Sequence, residues 1–500
     1  MSRSNFVLRL SAILALIVLF TVPMPTAYGQ NYNNNNNSNN NNNNKNSGRN
    51  NRNNNNNNSN NNNNNNNNNS GGGSGSSYGS GVVVDANGVL QRIVADDGVL
   101  AAARNEAYKA IPSEMRAASK MRKVSLNRLE AQIKENNGVV TNEMANLAGL
   151  TRIENVFVYP ETGDVVVAGP AEAWEVGAEG AVVGVKSGRP TLQLEDLVVA
   201  LRAFPAEGKG ASLVGCSIDP SEEGLRAMQS YLNTAAQPNV ANDLECVNYA
   251  AGIREALGLQ NVSVWGVSPK TNFAATLVAA DYRMKLIGIG LEEAPVKLVT
   301  YVDKSNPRNA ASNALVRWYF QPNYDCVVET EDGNAMQLLG VGVNLLGEDE
   351  LVGADGSRSA NKGKGNPATR AYAKSFTQKF ESIADQVPVY ANLRNLIDMT
   401  IVAAYLQKEG AYAKTNWTPD FFADEAQYQT ENLNEIQFAE TAVNTVRRSA
   451  NLVSYPTGGG VSIEPQIALD EEHMKYDENG SVEAKREKAE NNDASVWWWD

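Results

Sequence analysis

Two aspartates stand inside otherwise apolar helical stretches. Asp398 lies among Leu396, Ile397, Met399, Ile401 and Val402, four residues after Arg394. Asp281 lies in Ala279-Ala280-Asp281-Tyr282-Arg283-Met284-Lys285, four before Lys285. A carboxylate on a mostly buried helix is a candidate general acid or base, because burial and a neighbouring cation tune its proton affinity. The same spacing is that of a structural i, i+4 ion pair. Asp281 and Asp398 are the candidate catalytic residues, set against that structural role. A further acidic cluster, Asp219, Glu222 and Glu223, follows Cys216-Ser217-Ile218 and reads as the acidic first turn of a helix.

Other chemistries are excluded by what the chain lacks. It has one histidine, His473, in the acidic C-terminal tail. Without imidazole in the body, neither a Ser-His-Asp or Cys-His relay nor a zinc site of the His₃ or His₂Glu type can form. Ser359-Ala360-Asn361-Lys362 has Ser-x-x-Lys spacing, but it stands in a Gly-, Ser- and Lys-rich loop rather than at a helix start. Gly208-Lys209-Gly210 and Gly363-Lys364-Gly365 lack the upstream Gly and the following Ser/Thr of a phosphate loop. Asp85-Ala86-Asn87-Gly88 begins like a calcium loop, but Val89 and Leu90 take positions that need an oxygen ligand and a Gly. No cofactor and no metal site is predicted. The net charge is −13, and the body is strongly acidic, so nucleic acid is excluded as a partner.

The first seventy residues carry an address. Arg3 and Arg9 form a basic region, Leu10 to Phe20 an apolar one, and Pro23 and Pro25 end it. Ala27-Tyr28-Gly29 places small residues for cleavage between Gly29 and Gln30. The apolar run is shorter than the ~20 residues that span a bilayer. No later segment is apolar for long enough to do so, so no transmembrane span is expected in the mature form. No cysteine lies near the cleavage site, which argues against a bacterial lipid anchor. These features predict export to the periplasm, cell envelope or exterior.

Export permits a disulfide. Among Cys216, Cys246 and Cys326 one bridge at most can form, and Cys216–Cys246 is the pairing that a strand followed by two short helices would bring together. Three buried free thiols is the alternative.

An asparagine tract and a Gly/Ser segment follow the leader to about Gly81. With few apolar side chains to offset the entropy of ordering, they are expected to be disordered. The acidic end of the chain, 468–500, carries the same expectation. It finishes in Trp497-Trp498-Trp499-Asp500, a candidate anchor for a membrane interface or a partner groove.

Between these arms the periodicities predict an α+β protein. Helices are expected at Leu100–Ile111, Ser113–Met121, a stretch capped by Ser125 and stopped by Gly138, one from Thr141 to Gly149, and Leu194–Phe204. Val156–Tyr159 and Asp164–Val167 form a hairpin across Pro160-Glu161-Thr162-Gly163, and Ala181–Val185 adds a strand. From Ser212 the order strand, helix, helix, strand, helix suggests a small α/β unit ending with Phe273–Ile287. Leu315–Leu346 reads as two long strands around Glu331-Asp332-Gly333-Asn334. Helices follow at Ala371–Ala384, Val389–Glu409 and Asn434–Ala450, and a Gly-rich bend leads into a last strand at Val453–Val461. The domain reading is 1–29 signal peptide, 30–81 linker, 82–205 α+β, 206–300 α/β unit, 301–467 hairpin plus helices, and 468–500 tail.

Several stretches taken together resemble a known family. They are Leu147-Ala148-Gly149-Leu150-Thr151-Arg152-Ile153, Val167-Ala168-Gly169-Pro170-Ala171-Glu172, Gly188-Arg189-Pro190 with Leu192-Gln193-Leu194-Glu195-Asp196-Leu197, Cys216-Ser217-Ile218-Asp219-Pro220, Ala280-Asp281-Tyr282-Arg283-Met284-Lys285, and Tyr455-Pro456-Thr457-Gly458-Gly459-Gly460-Val461. The set resembles an uncharacterised family of exported planctomycete proteins, a domain of unknown function. The resemblance implies export and a bacterial source and names no site. The function expected is that of a non-enzymatic envelope or extracellular binding or structural protein. The alternative is a hydrolase of envelope polymer acting through a carboxylate pair.

Overall fold

The computed structural model describes residues 77–78, 82–85, 87–92, 104, 108–177, 180–306, 314–360, 366–448 and 451–500. The leader, its cleavage site at Gly29 and Gln30, and the asparagine tract lie outside the described residues. So does most of the helix expected at Leu100–Ile111.

The architecture is α+β: two large sheets share one layer of helices. The eight-stranded sheet runs, in spatial order, Arg358–Ala360, Val343–Val352, Ala314–Pro322, Asn451–Ile463, Val214–Pro220, Gln260–Trp265 and Phe438–Ala439, with Val443–Arg448 paired to the first half of Asn451–Ile463. Its one parallel pairing joins Ala314–Pro322 to Asn451–Ile463. The seven-stranded sheet runs Lys475–Tyr476, Val327–Glu329, Ala335–Leu338, Asn155–Tyr159, Asp164–Ala171, Ser119–Ser125 and Trp498–Trp499. Among the described residues the longer helices are α1 (Leu126–Glu135), α2 (Leu194–Ala203), α3 (Glu222–Thr234), α4 (Asp243–Leu257), α5 (Asn272–Gly288), α6 (Pro367–Ala384), α7 (Pro388–Lys408) and α8 (Ser481–Ala489).

Burial explains the layering. Every residue of α5 from Phe273 to Gly288 is buried, and α7 is buried almost without a break from Val389 to Leu406. A helix apolar all round must have protein on every side. α5 lies on the inner face of the eight-stranded sheet and packs against α7, which packs against α2 and α6. α3 and α4 cover the outer face through Leu225, Met228, Ile253 and Leu257. α8 covers the outer face of the seven-stranded sheet, with Val482 and Ala489 against Phe157, Val166 and Ala335.

Local signals were accurate where they were strong. The Ser125 hydroxyl accepts from the Arg128 amide at the head of α1, and Gly138 takes φ +78° beyond its end. The hairpin pairs Asn155–Tyr159 with Asp164–Ala171 as expected. Four other expectations are corrected. The helix expected at Asn434–Ala450 is absent from its described part, 434–448, which supplies Phe438–Ala439 and Val443–Arg448; pairing with neighbouring strands outweighs a weak helical period rich in β-branched residues. Ser113–Met121 makes one 3₁₀ turn, Ser113–Met115, before Ser119–Ser125 joins the sheet. The Glu331–Asn334 turn is real but joins two short strands, Val327–Glu329 and Ala335–Leu338. The glycines at 458–460 are no bend. They lie inside the central strand Asn451–Ile463, where Gly459 has φ +142° and an added Cβ would meet the Trp318 carbonyl oxygen at 1.7 Å.

The expected domain limits are also cut by the sheets. Strands from 206–300 and 301–467 alternate in one sheet, and strands from 82–205, 301–467 and the C-terminal segment alternate in the other.

The expected disordered tail is corrected as well. Trp498 and Trp499 pair antiparallel with Val124 and Lys123 on the sheet edge, and the Ser125 amide donates to the Trp497 carbonyl at 2.8 Å. Trp497 is buried, and Trp499 Nε1 donates to the Ala489 carbonyl. The trio is therefore built into the fold and is not carried on a free anchor. Arg122, fully buried, donates from Nε and Nη2 to the Asp500 carboxylate at 2.9 and 2.8 Å and stacks on Trp498. Arg128 holds Asp164 with one side of its fork and the carbonyls of Asn491 and Asp493 with the other, over the Trp499 ring. These contacts replace the missing apolar run: charge-assisted bonds and aromatic area order an acidic segment that composition alone marks as solvated.

An Asp500→Asn variant should lose roughly 2 kcal/mol in urea unfolding. Stripping one partner from a buried pair costs about 3–5 kcal/mol, and the partial exposure of Asp500 reduces that. Unchanged stability would mean that the Arg122–Asp500 contact does not hold the edge.

Candidate functional site

The two aspartates picked out by sequence are locked. Asp281 is fully buried on α5, and Lys285 Nζ donates to its Oδ2 at 2.7 Å and to the Ile218 carbonyl at 3.1 Å. Burial pushes the Asp281 carboxyl up to about 6 against the pull of Lys285. Asp398 is buried on α7, but its ion-pair partner is Arg152, from the segment before the hairpin, with Nε–Oδ2 3.0 Å. Arg394, the expected partner one turn away, leaves its Nε and Nη2 buried without a hydrogen-bond partner. Burial raises the Asp398 carboxyl, and the two guanidiniums oppose that. The three cysteines are free and buried, so the Cys216–Cys246 bridge is corrected to separate thiols. Cys216 sits in the central sheet, while Cys246 turns on α4 toward the carbonyls of Asn239 and Val240.

A cleft of about 670 Å³ lies elsewhere, between the C-terminal half of α2, the loop before α5 and residues 425–432. It is lined by Arg202, Ser268, Lys270, Thr271, Glu425 and Glu431, among others. Neither Asp281 nor Asp398 reaches it. Arg202 is fixed by donating to the Phe422 and Tyr428 carbonyls, and it approaches Glu425 at 4.0 Å.

Behind the cleft wall stand two carboxyls that sequence reasoning passed over. Glu195 and Asp196 occupy the first turn of α2. Glu195 accepts from the Glu431 amide, and Asp196 accepts from Asn272 Nδ2 at 3.2 and 3.3 Å. Burial pushes Glu195 up to about 7. Burial, then the Glu195 charge, pushes Asp196 up to about 8. Burial raises Glu431 too. Adjacent acids in an apolar run, Leu194-Glu195-Asp196-Leu197, are the same kind of signal that marked Asp281.

The surroundings offer hydroxyls, amides and both signs of charge at hydrogen-bonding positions, which suits a polar ligand. No group of three or more metal-ligating side chains occurs among the described residues. No helix there is long and apolar enough to cross a membrane.

Residues 216–301 match a family described as a protein of unknown function, DUF1598. The match takes in the strand Val214–Pro220 from Cys216 onward, α3, α4, the strand Gln260–Trp265 and α5, and so includes Asp281. Two of the stretches that carry the resemblance noted above, Cys216–Pro220 and Ala280–Lys285, fall inside it. Neither a curated protein nor a solved structure matches the chain.

Two outcomes follow. The unfolded chain releases the Asp196 proton near pH 4, whereas the native state keeps it until about pH 8. Asp196 therefore lowers stability as pH rises through that window. An Asp196→Asn variant should melt higher than wild type at pH 8, with the gain shrinking to nothing near pH 4. Parallel melting curves across the range would refute the protonated carboxyl. Separately, the His473 Nδ1 contact with Asp325 raises its proton affinity above the ordinary value of 6.5. As the one imidazole in the chain, it gives a single set of proton resonances. Their midpoint should lie above 6.5 and fall in Asp325→Asn.

Proposed function

We propose that this chain is an exported protein of the planctomycete type that acts by binding in the cell envelope or outside the cell, and not by catalysis. One observation carries the choice of binding over chemistry: the two aspartates that the sequence offers for acid–base work, Asp281 and Asp398, are engaged by Lys285 and Arg152 away from the cleft. The sole imidazole lies on the surface against Asp325. Export rests on the basic, apolar and small-residue order from Arg3 to Gly29. The cleft beside Arg202 and Glu431 is the ligand surface in this reading, and its polar lining favours an envelope or extracellular partner rich in hydrogen-bonding groups.

A second reading keeps the carboxylate-pair hydrolase and moves it to the cleft. Glu431, with raised proton affinity, and Glu425, beside Arg202, both line the cleft. In that scheme Glu431 would serve as acid and Glu425 as base.

The decisive experiment fractionates cells that express the native chain and sequences its N-terminus. The mature chain should begin at Gln30 in the extracytoplasmic fraction and release no soluble fragments from purified envelope polymer. A full-length cytosolic chain would overturn export. Fragment release that disappears in Glu431→Gln would overturn the binding role.

A further inference from the structure

Two guanidiniums stand beside Asp398 with more N–H donors than it can accept. Arg152 gives Nε to Asp398 and Nη1 to the Gly340 carbonyl at 2.9 Å, and its Nη2 is buried without a partner. Arg394, only 2 % exposed, has both Nε and Nη2 buried without a partner. All three side chains pass beside Gly342: a Cβ placed there would stand 3.4 Å from Cγ in the Arg394 stem, 3.4 Å from Asp398 Oδ1 and 3.6 Å from Arg152 Nη2.

The surrounding charges act at a distance and do not bond the free nitrogens: Glu154 acts on Arg152 through space. Asp385 also acts on Arg394 through space, but it is held by Arg189 at 2.7 Å. Cys326 lies close enough to feel both Asp398 and Arg152, yet burial, then the Asp398 charge, pushes its thiol up to about 12, so it is neutral. Burial and then the Arg152 charge bring Arg394 down only to about 10, so it keeps its proton at neutral pH. Within the buried cluster two guanidiniums share one carboxylate, and three of their nitrogens are left without a hydrogen-bond partner, which is costly in a low-dielectric site. Guanidinium forks of this kind match the planar or tetrahedral oxygens of an oxyanion.

We propose that Arg152 and Arg394 form an oxyanion-binding site, taking the carboxylate or phosphate group of a small ligand beside Asp398. Residues 339–342 lie between this cluster and solvent. Leu339 and Gly340 are exposed and Gly342 is buried, and the two glycines take φ +70° and +77°. This loop therefore runs from solvent directly onto the two arginines. The site shares no residue with the cleft beside Arg202, so it stands or falls independently of the function proposed there.

The test measures binding of sodium phosphate and of sodium acetate to the whole mature protein by titration calorimetry, with sodium chloride at matched ionic strength as the reference. Wild type should bind at least one of the two oxyanions with a defined stoichiometry of one, and the stronger of the two identifies the ligand group. Arg394→Met keeps the apolar stem and removes a guanidinium that makes no hydrogen bond within the protein, so it should fold. It should weaken binding about tenfold or more, as loss of a charge-assisted bond does. Lys209→Met, on an exposed loop, should bind like wild type. Absence of oxyanion binding by wild type overturns the proposal, as does equal binding by Arg394→Met. Should Arg394→Met not fold, the wild-type titration still decides the matter.

Discussion

The constraint on which this structure depends is the burial of one helical layer between two sheets. α5 and α7 have no face toward water, so no polar group on them can be left to solvent. Each must find its partner inside the protein or remain a cost to stability. This single condition dictates an apolar sequence on all sides of both helices. It also explains why their few charged residues stand out, and why those residues reach into neighbouring elements. Lys285 bonds the Ile218 carbonyl of the central strand, and Asp398 takes Arg152 from the seven-stranded side. The two sheets are thus tied to the layer between them by charges that cannot be moved without unpairing them.

The two buried aspartates illustrate different solutions. Asp281 and Lys285 form a neutral pair on one helix, and the ammonium has a second bond to backbone. The pair is balanced in charge, with Asp281 Oδ1 buried without a partner. At Asp398 the i, i+4 cation, Arg394, stays unbonded while an arginine distant in sequence takes its place, so the cluster holds two cations for one anion. Equal sequence signals therefore end in unequal electrostatics. The difference is set by Arg152, which joins α7 only when the hairpin docks.

Much of the fold was legible locally. Caps, glycine stops and the Pro160–Gly163 turn fixed the ends of α1 and the hairpin, because those signals are made of contacts a few residues apart. What was not legible depends on partners distant in the chain. Phe438–Ala439 and Val443–Arg448 are strands because edges await them. Gly458–Gly460 serve interstrand approach rather than a bend, and the acidic end of the chain is ordered by Arg122 and Arg128, more than three hundred residues away. The site followed the same rule. Asp281 and Asp398 were recognisable as anomalous, but their partners and the pair Glu195–Asp196 behind the cleft required the packed layers to be seen.

The stretch matched to a family, 216–301, gains meaning from this packing. Its strands Val214–Pro220 and Gln260–Trp265 pair with each other, and α3, α4 and α5 flank them. Yet the free side of Val214–Pro220 is taken by Asn451–Ile463, with Gly215 and Gly460 allowing close approach, and the far side of α5 is covered by α7. Cut from its neighbours, such a segment would expose the fully buried face of α5 and an unpaired strand edge, both strong drives to aggregation. The physical unit that carries this sequence must therefore include the glycine-rich central strand and α7, and any ligand site near Asp281 is shaped by residues well outside the matched stretch.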